Sequence, residues 1–230
     1  MRVFRNFVAM AGVLLFGLSQ HALADTLYSQ PWNGTGNVIA SQNDTSAGGA
    51  GNFATTYDNF TLSGGNGTIS QIDWTGGYFN PSTQGTITGY TINIYANNSG
   101  IPGASLYSES VAGNAGETSL GTFFNNPMFS YSASANFAAT EGVEYWLSIV
   151  PDLNGEFPQW GWGESSNGDG SSYQVFNGVA QPPVVGDRAF TLDGTFTTPL
   201  PGALPLFASG LGVVGLLARR RKWKKATIAA

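Results

Sequence analysis

The chain has 230 residues, no cysteine and one histidine, His21, and only 10% of its residues are charged, against about 25% in an ordinary soluble domain. Without cysteine it can build no disulfide framework, thiolate metal site or cysteine nucleophile. Between residues 25 and 198 fourteen acidic residues face a single cation, Arg188, and no lysine; the formal charge of −13 repels phosphate backbones, excluding nucleic acid as a partner of this part, and the lack of His and Cys there excludes Ser-His-Asp, Cys-His and imidazole–zinc chemistry.

Residues 1–24 read as a secretory signal peptide. Arg2 and Arg5 form a short positive region, Phe7–Leu18 is apolar, and Ala22-Leu23-Ala24 is a small-x-small cleavage site ahead of Asp25. The apolar run is shorter than the about 20 residues that span a bilayer, so cleavage after Ala24 is expected. Asp25–Asn52 is rich in Gly, Ser, Thr and Asn and reads as an edge strand plus loops.

Residues 25–198 are expected to form one domain, a single antiparallel β-sandwich of jelly-roll type. Tyr90–Ala96 alternates apolar and polar, as a half-buried strand does. Glu144–Val150 is a dense aromatic and β-branched run, suited to a central strand. Further strands are expected at Tyr57–Leu62, Thr68–Trp74, Ser105–Val111, Thr118–Phe124, Met128–Phe137, Ser172–Val179 and Arg188–Thr197. Clusters such as Gly64-Gly65-Asn66-Gly67 and Asn125-Asn126-Pro127 separate them; Gly and Asn accept positive φ and Pro ends a ladder. No sustained helical period interrupts the series. About ten short strands without a regular repeat point to a sandwich rather than a propeller or solenoid.

Thr197–Pro201 links the domain to a second sorting element over residues 199–225, followed by a short tail, 226–230. Pro199–Ala218 carries no charge, and Arg219-Arg220-Arg221-Lys222 follows, with Lys224 and Lys225 behind. Such a run can cross a bilayer as a transmembrane helix. The basic block stays cytoplasmic by the positive-inside rule, which leaves everything before Pro199 on the far side.

The order Pro-x-Pro, apolar helix, arginine cluster resembles the PEP-CTERM sorting signal of Gram-negative bacteria over Pro199–Lys222. Leu200 stands between Pro199 and Pro201 where the family has glutamate, as in the PLP variant, and Leu206-Phe207 supplies its LF pair. The resemblance implies recognition by an exosortase, cutting near the Pro-x-Pro, and an association with exopolysaccharide, biofilm and extracellular matrix. The partners it implies are the secretion machinery, signal peptidase, exosortase, the inner membrane in passing, and extracellular polysaccharide. The location it implies is an inner-membrane intermediate, then the cell envelope, cell surface or exterior. The body also resembles the β-sandwich ectodomains that precede such signals, through Tyr57-Asp58-Asn59-Phe60, Ile101-Pro102-Gly103, Glu144-Tyr145-Trp146-Leu147 and Trp160-Gly161-Trp162-Gly163.

Three constellations could carry chemistry. Trp160 and Trp162 are two apart and share one face of a strand; with Tyr173 they could form an aromatic platform for sugar rings, or they could be core, since aromatics dominate the packing of small sandwiches. Glu141/Glu144, Asp152/Glu156 and Glu164 with Asp169 are acid pairs of the kind a glycosidase or lyase uses, but no cation nearby would tune them; they read as solvated loop acids. Asp152–Glu156 and Asn167–Gly170 offer hard oxygen ligands, and neither has EF-hand spacing; a structural calcium ion is the one cofactor they could hold. The expectation is a non-enzymatic exported protein without a cofactor, with a carbohydrate-binding module as the alternative.

Overall fold

The computed structural model describes residues 24–155 and 157–197. The signal segment with Ala22 lies outside the described residues, as do Glu156 and the sorting segment with Pro199, Pro201, Leu206, Phe207 and Arg219–Arg221.

The fold is all-β, with no helix among the described residues. In chain order the strands are β1 (Asp25–Gln30), β2 (Val38–Ala40), β3 (Gln42–Asn43), β4 (Phe53–Thr61), β5 (Gly67–Phe79), β6 (Ile87–Asn97), β7 (Pro102–Ala112) and β8 (Thr118–Phe123). They continue as β9 (Asn126–Ala139), β10 (Glu144–Leu153), β11 (Gln159–Ser165), β12 (Ser171–Phe176), β13 (Val179–Ala180), β14 (Val184–Val185), β15 (Asp187–Arg188) and β16 (Phe190–Phe196).

They build two eight-stranded sheets. In the first, β5 is central: β9 runs along one edge with β8 outside it, while β16 and then β11 line the other edge. β1 closes the β16 side, and β2 and β15 flank β11. In the second, the order is β13-β12-β4-β10-β6-β7, with β3 between β4 and β10 and β14 on β12. Every pairing is antiparallel except β3 with β10.

One apolar core takes side chains from both sheets. Ile69, Ile72 and Trp74 of β5 meet Tyr90, Ile92 and Ile94 of β6 and Leu147 and Ile149 of β10. The two-residue period expected for Tyr90–Ala96 is present: Tyr90, Ile92 and Ile94 are buried, and Thr91, Asn93 and Tyr95 turn to the other face. Trp74 meets Tyr90 edge-on at 5.1 Å and stacks on Tyr131 at 5.6 Å, geometries the ring quadrupoles favour.

Two expected strands divide. Ser172–Val179 reverses at Asn177 and Gly178, both at positive φ, so β12 turns back into β13. Arg188–Thr197 breaks at Ala189: Asp187 and Arg188 pair with β11, and Phe190 onward pairs with β5 and β1. Asp25–Asn52, expected as one edge strand with loops, holds β1, β2 and β3. β2 and β3, three and two residues long, are too short to show a period.

Candidate functional site

Trp160 and Trp162 do share one face of β11, as their spacing predicts, but that face is the inner one. Both rings are fully buried. Trp160 donates its indole N–H to the Tyr131 hydroxyl at 3.0 Å and meets Tyr90 and Tyr131 edge-on. Trp162 donates to the Ala189 carbonyl at 2.9 Å and packs against Phe190. Neither can stack on an external sugar: of the two readings, core holds for both rings, and the platform is not built from them. Gly76 shows why the ring fits: a Cβ there would lie 2.0 Å from Trp160 Cζ2. The intervening Gly161 admits the β2 backbone, since its Cβ would stand 2.9 Å from the Ile39 carbonyl.

Tyr173 is the third member of that expectation, and it faces elsewhere. It is half-buried on the face of the second sheet that points away from the core. There it lies directly across from Tyr57, and the two ring centroids are 6.0 Å apart. Tyr57 meets Tyr95 of β6 edge-on at 5.4 Å. Three tyrosines from β12, β4 and β6 thus form a row across the strands. Burial first, then the neighbouring Tyr95, pushes the Tyr57 phenol up to about 12, so it remains a neutral hydroxyl at physiological pH.

Beneath and beside this row the face is polar. Ser148 of β10, paired with Tyr57 and Asn93, is fully buried, and its hydroxyl has no hydrogen-bond partner among the described residues. Trp146, one pair along, donates its indole N–H to Asn97 Oδ1 at 3.2 Å. Asn97 donates in turn to Glu144. Asn59 donates to Glu144 Oε1 at 2.8 Å and to Asp169 Oδ2 at 2.9 Å. The face therefore alternates rings with amides and carboxylates, and holds no cation among the described residues. Tyr57, Tyr95, Trp146, Asn59 and Asn97 carry no spacing signal, because three strands distant in sequence bring them together; alternation within each strand was the only clue.

Below the sheet is a buried charged cluster. The Asp58 carboxylate is fully buried and accepts the backbone N–H groups of Arg188 and Asn59. Desolvation pushes it up to about 8; the Arg188 N–H opposes this, and the charge of Asp187 adds to it. Arg188 is itself fully buried. Its Nη2 donates to the Gly186 carbonyl at 2.8 Å, while Nε and Nη1 have no partner among the described residues. Asp187 accepts the Gly170 N–H at 3.0 Å and is raised, by desolvation first. Desolvation also pushes Asp169 upward, but bonds from Asn59 and Ser171 outweigh it and hold Asp169 low.

The cluster predicts a pH dependence. Between about pH 4 and 8 folded Asp58 keeps a proton that the unfolded chain has released, so stability falls as pH rises through that window and levels off above it. The melting temperature should drop by roughly 5–10 °C from pH 5 to pH 8.5. In Asp58→Asn that slope should flatten; an unchanged slope in the variant, read by circular dichroism, would assign it to other groups.

Of the acid pairs, Asp152/Glu156 falls partly outside the described residues, and the described acids are engaged by neighbouring amides or stand in turns. Glu164 accepts from Asn37 Nδ2 at 3.0 Å and Asp152 from Asn43 Nδ2 at 2.7 Å, and Glu141 stands in the turn before β10. Among the described residues no group of three or more acidic or histidine side chains gathers as a metal would require. On the first sheet a groove of about 370 Å³ passes Trp32 and is floored by Asp73, Thr75 and Ser130. Its one half-exposed ring, Trp32, already donates to the Thr35 carbonyl and lies edge-on to Phe123. No protein-family model matches the chain, and no curated protein matches it.

Proposed function

We propose that this chain is a non-enzymatic exported protein, a β-sandwich of jelly-roll type delivered to the cell surface or extracellular matrix by the two signals at its ends. The observation that carries the reading is where the sheet starts and stops. β1 begins at Asp25, immediately after the proposed cleavage at Ala24, and β16 ends at Phe196, three residues before Pro199. The two strands are antiparallel neighbours, with Asp25 opposite Gly194. Both terminal segments therefore join the body side by side at the same end of the first sheet. Cutting at Ala24 and near Pro199–Pro201 would remove no strand of either sheet.

Composition supports the rest. Residues 25–198 lack the His and Cys of common catalytic centres, and their high negative charge suits a self-repelling, solvated body. The PEP-CTERM-like pattern supports processing by an exosortase and delivery into an exopolysaccharide matrix. Replacing Arg219, Arg220 and Arg221 with alanine tests this. The variant should accumulate as an unprocessed precursor in the membrane fraction, with the surface and medium depleted several-fold. Wild-type amounts of body in the same fractions would defeat the proposal.

A further inference from the structure

The outward face of the second sheet has features that sorting does not use. From the row Tyr173–Tyr57–Tyr95, with Trp146, Asn59 and Asn97 around the unpartnered Ser148 hydroxyl, we infer that this face binds a non-anionic polysaccharide strand running across β12, β4, β10 and β6. The inference deepens the export reading by naming what the body holds outside the cell. It relies on that reading only for where the ligand is met.

The chemistry follows from the side chains. The C–H faces of pyranose rings carry slight positive charge and lie well on the negative faces of aromatic rings. The tyrosine centroids are spaced 6.0 and 5.4 Å, with the rings tilted at 54° and 68° to one another, so an extended chain crossing the strands meets the rings in turn at differing angles. Tyr57, Tyr95 and Tyr173 are all half-buried, which leaves part of each ring to solvent. Amides and hydroxyls between them can give and take hydrogen bonds with sugar hydroxyls. The buried Ser148 hydroxyl lies on this face with its bonding unmet, and an unmet buried hydroxyl is costly.

Charge fixes the ligand class. Glu144 and Asp169 border the row, both drawing on the single Asn59 amide, and the only cation of residues 25–198, Arg188, is buried away from this face. A uronate or sulfated polymer would be repelled. A neutral glycan is accepted, and an amino-sugar polymer would find carboxylates for its ammonium groups.

The test uses the full-length chain in detergent micelles, titrated calorimetrically with cellohexaose, a glucosamine hexamer and an alginate hexamer. Saturable binding is expected for at least one of the first two and not for alginate. Comparing the first two separates stacking on a neutral chain from pairing with ammonium groups. Tyr57→Ala and Tyr173→Ala should each weaken binding about tenfold, while Tyr57→Phe, which keeps the ring, should stay near wild type. Saturation-transfer NMR on the unaltered protein should show sugar protons against tyrosine rings, which guards against misfolded variants. Failure of both non-anionic sugars to bind, equal binding of alginate, or unweakened binding by the alanine variants would overturn the inference. None of these outcomes bears on sorting, which the tail variant tests separately.

Discussion

At pH 9, where Asp58 is ionised, replacing Arg188 with methionine is expected to destabilise the body by about 3–5 kcal/mol, lowering the melting temperature by roughly 10 °C for a domain of this size. The guanidinium is the only positive charge between residues 25 and 198. It is fully buried, with Asp58, Glu164 and Asp187 as the carboxylates whose fields act on it. Above about pH 8, where Asp58 has lost its proton, removing it leaves those acids without a compensating charge inside the protein, and an uncompensated buried charge is costly. The arrangement is also expensive as it stands, because Nε and Nη1 are desolvated without partners. At that pH the double variant Arg188→Met/Asp58→Asn, which also removes the Asp58 charge, should therefore recover part of the loss. A double-mutant cycle with a coupling of about 1 kcal/mol or more supports this account. Strict additivity, or a methionine variant as stable as wild type, contradicts it.

Trp160→Ala should cost a similar amount, about 3–5 kcal/mol, because it empties a large volume from a close-packed core. The ring fills the space over Gly76 and holds the Tyr131 hydroxyl through its indole N–H. Tyr131 then donates to Glu117, which also accepts from Tyr78, so the loss extends along a chain of hydrogen bonds. Trp162→Ala should behave alike, through Phe190 and the Ala189 carbonyl. Chemical denaturation read by fluorescence measures both. A midpoint within error of wild type would mean that the rings contribute no packing and belong to the surface.

The tryptophan pair shows what a sequence can and cannot convey about such a protein. Spacing by two placed both rings on one face of a strand, and they do lie on one face. Which face is inward depends on what lies across the core, and Gly76, far upstream, is the residue that makes room. β5, β6 and β10 were legible because alternation or dense aromatic content survives over many residues. β2, β3 and β13–β15 were not, being two or three residues long and held by their partners rather than by any period of their own. The tyrosine row is a cross-strand feature. Its members come from residues 57, 95 and 173, and sheet register alone makes them neighbours. Of the three only Tyr173 stood out beforehand, because it lies one loop beyond Trp162. The buried position of Arg188 was equally hidden, although its solitude was plain from composition.

Intact mass of the exported chain addresses the central claim most directly. The account predicts a product starting at Asp25 and ending close to Pro199–Pro201, lacking the apolar run and the basic block. Recovery from the cell surface or medium of a chain that still carries Arg219–Lys225, or that begins at Met1, would contradict it.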